Sequence, residues 1–238
     1  MPRTVVIDCF PENVHKYRDG YAIVAVDVIR ATTTAITGVA QGRRVFPVGI
    51  IEDVVAMAAR FQNPLVVGEL GGNMPYGFDI TNSPAELAQR TDIERPMILI
   101  STSGTLVITE SAKCAVGYVA CLRNYSAQIA YLAGRHEKIA AIGAGSRGEF
   151  REEDQLCCAW IAEGLVRAGY EPENEATREA IRRWSGAPPD AIAGGKSAEY
   201  LRRSGQLRDL DFILSHVDDL ADVFLFQNDE IVKLPVAG

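Results

Sequence analysis

The sequence predicts an α/β protein: a three-layer α/β/α sandwich around a largely parallel or mixed sheet. Three observations carry that expectation. Apolar, β-branched runs recur along the chain, helical patterns alternate with them, and most of the runs are continuously hydrophobic. Continuous runs of that kind suit strands buried on both faces, and strand–helix alternation suits a sheet covered by helices.

The strands are expected in "TVVID" from residue 4, "YAIVAVDVI" from 21, "RRVFPVG" from 43 and "PLVVGEL" from 64. They continue in "MILISTSG" from 97, "CAVGYVACL" from 114, "KIAAIGAG" from 138 and "DVFLFQ" from 222. Helical patterns occupy 30–41, 51–62, 84–90, 104–113 and 124–134, and a longer one runs over 151–169. The section 171–218 reads as mostly helical and polar, and "FQNDEIVKLP" reads as a closing hairpin. No Pro/Gly/Ser-rich linker and no repeat interrupts the chain, so residues 1–238 are expected to form one domain, more helical from about 171.

Lys and Arg number 24 and Asp and Glu 31, a formal charge of −7. That balance, with no basic stripe, argues against a nucleic-acid partner. It also means that an anionic substrate needs a locally positive or metal-bearing pocket. The opening "MPRTVVIDCF" is too short an apolar run for a secretory signal. No segment approaches the roughly 20 apolar residues that span a bilayer. Five cysteines without regular spacing make no disulfide framework. A cytoplasmic protein with no membrane partner is expected, open to assembly as a homodimer.

In sheets of this kind ligands sit beyond the carboxyl ends of strands, so residues where strands stop are the ones to read. Asp27 ends one strand, and Arg30, Thr32, Thr33 and Thr34 follow it. Three threonines exceed what one helix cap needs; with the helix N-terminus they suit an anion, and Arg30 adds a fork matched to phosphate or sulfonate. Glu69 ends a second strand before "LGGNMPYGFDITNSP". "STSGT", residues 101–105, repeats the hydroxyl-and-glycine device at a third strand end, where a plain helix cap is the competing reading. "GAGSRG" contains G-x-G-x-x-G without a clear acidic partner, a weak dinucleotide signal.

Asp27 and Glu69 end apolar strands and should avoid burial unless paired or metal-bound. Asp154 lies in the acidic helix start "REED", where acids also simply complement the helix dipole. Oxygen ligands of this type suit Mg²⁺, with one or two carboxylates, several waters and a substrate phosphate. His15, His136 and His216 are scattered and read as solvated; without H-x-x-x-H or C-x-x-C spacing a zinc site is not expected. Cys157 and Cys158 read as small hydrophobes in a helix.

"DVIRATTT", "GE…GFDITNSPAEL", "STSGT" and "GAG…GEFREED" occur in that order and at intervals that resemble the 2-phosphosulfolactate phosphatase (ComB) family. The likeness runs from about residue 22 to "SAEYLRRSGQLRDLDF". It implies a Mg²⁺-dependent phosphatase on an α/β/α fold, hydrolysing a phosphate ester to sulfolactate and phosphate. Asp27, Arg30 and the threonines match the first motif and Glu69 the second. Asp79, Asn82 and Ser83 match the third. Ser103, Gly104 and Thr105 align with T-T-N-G-T, and Glu153 and Asp154 with the E-D segment.

The reading is therefore a Mg²⁺-dependent phosphoric monoester hydrolase acting on a small phosphorylated anionic metabolite. Asp27, Arg30, Glu69 and Asp154 are the candidate catalytic residues, and Asp27, Glu69 and Asp154 the candidate metal ligands. Thr32, Thr33, Thr34, Asn82, Ser83, Thr102, Ser103, Gly104 and Thr105 are the candidate phosphate contacts. Asp27 stands as nucleophile or ligand, and water or aspartyl-phosphate chemistry is open. A halo-acid-type phosphatase requires D-x-D-x-T, and Asp27 is followed by Val28 and Ile29. The alternative is a non-catalytic phosphometabolite-binding protein, which strand-end acids would serve poorly. Two positions depart from the family pattern: Ser103 replaces asparagine and Leu70 replaces arginine. The second predicts a pocket short of one cation and a substrate other than 2-phosphosulfolactate.

Overall fold

The computed structural model describes residues 2–146 and 148–234. β1 (Thr4–Asp8) leads through a 3₁₀ turn (Pro11–Tyr17) to β2 (Tyr21–Val26) and α1 (Ala31–Ala40). Next come β3 (Val45–Val48), α2 (Glu52–Ala58), β4 (Leu65–Gly68), α3 (Pro84–Ala88), β5 (Met97–Ile100) and α4 (Gly104–Ser111). β6 (Val116–Ala120), α5 (Tyr125–Leu132), β7 (Lys138–Gly143) and α6 (Glu152–Arg167) complete the alternation. The C-terminal part holds β8 (Glu171–Pro172), α7 (Glu175–Trp184), a second 3₁₀ turn (Pro189–Gly194), α8 (Lys196–Arg203) and α9 (Leu207–Ser215). The hairpin of β9 (Val223–Gln227) and β10 (Glu230–Leu234) ends the described chain. Pro235, in the stretch expected to close that hairpin, lies outside the described residues.

Among the described residues the ten strands form one mixed sheet, in the order β4-β5-β3-β10-β9-β6-β2-β7-β1-β8. β6, β2, β7, β1 and β8 run parallel, as do β4, β5 and β3. The hairpin is inserted between these two blocks and pairs antiparallel with the edge of each. One residue pair, Ile231 with Val45, joins it to the β3 block.

The alternation along β2 shows how the layers form. Ala22, Val24 and Val26 pack in a core with residues of α6 and α7. Ile23 and Ala25 turn to the other face, in a core with residues of α1, α3 and α4. Successive side chains of a strand point to opposite faces, so a run apolar at every position needs helices on both. Phe46, Val48, Ile98 and Ile100 of β3 and β5 form a third cluster with Val54 of α2. The result is the expected three-layer sandwich.

Local sequence sets the helix starts near the strand ends. Ser83 caps α3 by accepting from the Glu86 N–H at 3.1 Å, with Pro84 at the first helical position, where its missing N–H costs nothing. Asn174 caps α7 by accepting from the Thr177 N–H at 2.8 Å. α8 and α9 pack on each other through Ala198, Leu201 and Leu210, with Ile29 from the loop after β2 against the same cluster. The helical C-terminal part is therefore built onto the strand-end loops.

Candidate active site

A cavity of about 420 Å³ opens where the β2, β4, β5 and β7 ends meet α8. Asp27, Glu69, Thr102, Ser103 and Asp154 all line it, together with Arg30 and Asn82. Strand ends from both parallel blocks thus converge on one site.

Asp27 is 8% exposed, and its carboxylate lies hard against the start of α4. A Cβ on Gly104 would stand 2.0 Å from Asp27 Oδ2, so only glycine fits there. Burial, and then the nearby charge of Glu69, pushes the Asp27 carboxyl up to about 7; the Ala31 N–H and the Arg30 guanidinium oppose the rise. Asp154 joins neighbouring strand ends, accepting from the Val28 N–H at 2.8 Å and the Ala144 N–H at 3.1 Å. It is raised well above the ordinary carboxylate range by burial, then by Asp27 and Glu153. Glu153 is 1% exposed, and among the described residues neither of its carboxylate oxygens has a partner at good hydrogen-bond geometry, Ser197 being the polar side chain that acts on it. Burial raises it too, with Ser197 opposing.

Glu69 organises the loops. It accepts from the Thr102 N–H at 2.8 Å, the Thr102 hydroxyl at 2.9 Å and the Gly72 N–H at 2.7 Å. The residue before it, Gly68, has φ +155°, and a Cβ there would lie 2.2 Å from the Ile100 carbonyl oxygen. Close approach of β4 to β5 therefore delivers Glu69 to the rim.

Arg30 is 4% exposed and follows a cis Ile29–Arg30 peptide bond. Its Nη1 donates to Gln206 Oε1 at 2.5 Å and to Asp209 Oδ2. Asp209 also accepts from the Ser83 hydroxyl at 2.5 Å and the Ala85 N–H at 3.1 Å. Ser83 thus supports Asp209 and caps α3.

The threonines are placed differently from the anion-binding expectation. Thr32, Thr33 and Thr34 are at most 1% exposed, and their hydroxyls donate to the carbonyls of Asp27, Val28 and Arg30, respectively, with Thr34 also reaching Asn82 O. They tie α1 to the end of β2 and α3, and are absent from the cavity wall. Thr105 is likewise turned inward, onto the Ser101 carbonyl at 3.1 Å. Ser103, by contrast, lines the cavity. Asn82 lines it as well, and its buried Oδ1 has no partner among the described residues. Asp79 accepts from the Val66 N–H at 2.8 Å and from Arg95, a loop-fixing role.

The structure corrects the cation-poor pocket expected from Leu70. Its side chain packs against the cluster of Phe46, Val48 and Ile100 rather than lining the cavity. Nor is the cavity short of cations, since Arg151 and Lys196 line it alongside Arg30. Those two, with Gln206 and Asp209, were not singled out by sequence. They sit in stretches that otherwise read as solvated helix faces.

A family model for 2-phosphosulpholactate phosphatase matches residues 9–229. The chain belongs to the 2-phosphosulfolactate phosphatase family. A relative from Pseudothermotoga lettingae, named "Probable 2-phosphosulfolactate phosphatase", is 38% identical over 219 residues, covering 90% of this chain and 92% of its own. Relatives of the same name occur in Thermotoga petrophila, at 34% identity over 74% of this chain and 82% of its own, and in Deinococcus radiodurans, at 31% over 87% and 86%. Membership in this phosphatase family implies a small phosphorylated substrate. Among the described residues no helix is long and apolar enough to cross a membrane.

Proposed function

We propose that this 2-phosphosulfolactate phosphatase family chain hydrolyses 2-phosphosulfolactate or a closely related phosphorylated hydroxy acid, and that it does so with Mg²⁺. The observation that carries the reading is the charge inventory of the cavity. Among the described residues, four carboxylates, Asp27, Glu69, Glu149 and Asp154, line it with three cations, Arg30, Arg151 and Lys196, and the Arg30 guanidinium is already paired with Asp209. Such a cavity opposes a polyanionic ester, whereas a divalent cation held among its carboxylates offsets that opposition.

The donor set fits that ion. Burial and like charge raise both Asp27 and Asp154, the state of carboxylates lacking a counter-ion. Among the described residues no group of three His, Cys, Asp or Glu side chains is placed to hold a metal ion. Mg²⁺ needs none, because it keeps several waters and binds through one or two carboxylates plus substrate phosphate. Carboxylates among Asp27, Asp154 and Glu69 would hold it, Asp154 and Glu69 through the lone pairs left free by the donors they already accept. Bound there, the ion would supply charge stabilisation at the phosphoryl oxygens and a more acidic water.

The chain's own residues then orient the ester. Arg30, held at Nη1 by Asp209 and Gln206, turns its remaining donors to the phosphoryl group and needs no reorganisation as charge develops. The Ser103 hydroxyl and Asn82 add polar contacts on the α4 and α3 sides of the wall. Phosphate release from 2-phosphosulfolactate by the purified chain, with Mg²⁺ and then with chelator, tests the reading. No release with the ion present overturns it.

A further inference from the structure

The cations of the cavity stand in two different surroundings. Arg30 is buried beside Asp27 and neutralised by Asp209. Arg151, just before α6, and Lys196, the first residue of α8, both pair with Glu149. Glu149 Oε2 accepts from Lys196 Nζ at 2.7 Å and lies 3.7 Å from Arg151 Nη1. Among the described residues Glu149 is the one carboxylate paired with both cations, so their ion pairs leave one positive charge unmatched, with the buried Glu153 carboxyl behind Arg151. The pair is also weakly held, because the Lys196 side chain is 71% exposed and that of Glu149 54%. Exposed ion pairs contribute little and exchange partners readily.

We propose that Arg151 and Lys196 form the subsite for the second, non-transferred anion of the substrate, and that Glu149 is the resident competitor this anion displaces. The assignment rests on the phosphatase reading, which gives the Arg30 end to the phosphoryl group. The exchange conserves charge pairing: a carboxylate or sulfonate takes the place of Glu149 beside the two cations, and Glu149 swings into water, where an exposed carboxylate is well solvated. The substrate class follows. It is a phosphomonoester of a small acid, with its second anion on the same short skeleton, and esters without a second anion bind poorly. Two side chains of opposite sign therefore set selectivity in opposite directions.

Calorimetric titration of the full chain with Mg²⁺ tests this, using the non-hydrolysable phosphonate analogues of 2-phosphosulfolactate, 2-phospholactate and methyl phosphate, each named by its parent ester. The expected order of affinity follows the number of anions beyond the phosphate. In Lys196→Gln the gap between 2-phosphosulfolactate and methyl phosphate should narrow by about three- to tenfold, and in Glu149→Gln it should widen by a similar factor. Arg151→Gln should narrow it as well; if that variant folds poorly, the exposed Lys196 and Glu149 variants decide. 2-Phospholactate distinguishes a carboxylate from a sulfonate as the group received. An unchanged gap in Lys196→Gln, a narrower one in Glu149→Gln, or no binding of any of the three compounds overturns the subsite. Phosphate release from the esters themselves is scored separately: binding in this order without turnover refutes the phosphatase reading and leaves the subsite standing.

Discussion

Arg30, just past the second strand, is paired with Asp209, which lies 179 residues later in the last helix, and both side chains are almost wholly buried. Asp209 has further donors in Ser83 and Ala85, so one carboxylate ties the strand-end loop, α3 and α9 together. Removing one member of such a pair leaves the other charge buried and uncompensated. Asp209→Ala is expected to lower unfolding stability by about 3 kcal/mol or more and to raise KM for the phosphoester as Arg30 loses its anchor. Urea unfolding and steady-state kinetics measure both. Wild-type stability with wild-type KM would reduce the pair to a surface-like contact.

Gly104 makes the next prediction from geometry alone. Its missing side chain is what lets Asp27 stand against α4, with Oδ2 2.0 Å from where a Cβ would be. Gly104→Ala must move the carboxylate or the helix start. A displacement of about 1 Å at a reacting centre costs on the order of 10² in rate. Turnover in Gly104→Ala should fall by about that factor. Undiminished turnover would place Asp27 outside the chemistry.

Raised carboxyls give the cation-free protein a pH signature of definite sign. Asp27 is held at about 7 against an ordinary 3.8, so the folded state binds a proton that the unfolded state has lost across that window. Stability from this group is therefore fullest at the acid end and declines as pH rises from about 4 to about 7. Asp154 adds in the same direction. Thermal unfolding in chelator should show this decline, and Asp27→Asn should flatten it. Mg²⁺ should restore stability above pH 7 by binding the folded state. A cation-free stability that climbs over the window would contradict the buried acid pair.

How much of this was legible beforehand follows from where each interaction is local. Strands and helices were readable because a residue's burial and its neighbours three or four positions away set the pattern. Asp27 and Glu69 stood out because a charge ending an apolar strand is costly without a partner. Thr32, Thr33 and Thr34 did not reveal their role, since a hydroxyl at a helix start serves a backbone carbonyl as well as an anion. Asp209 and Lys196 were hidden for another reason. Each is one charge among many on a polar helix, and only tertiary packing selects it. The β9–β10 hairpin was recognisable as a hairpin, but its insertion between two parallel blocks depends on pairings more than 100 residues apart, such as Gly117 with Phe226 and Ile231 with Val45.

Leu70 supplies the last prediction, and it reverses what the sequence suggested. Arginine is expected there from the family pattern, and its replacement first reads as a lost substrate contact. In the fold the Leu70 backbone pairs with Asn73, with N–H to carbonyl distances of 2.9 and 3.1 Å, and the side chain packs into the Phe46, Val48 and Ile100 cluster. Leu70→Arg would drive a charge against that cluster or push the Glu69 loop outward. It should lower stability by about 1–3 kcal/mol, the range for overpacking or for a buried group left without a partner. The ratio of kcat/KM for 2-phosphosulfolactate to that for 2-phospholactate should stay within about twofold of wild type, whereas Lys196→Gln should move it further. A shift of tenfold or more toward the sulfonate in Leu70→Arg would show that position 70 reaches the substrate after all.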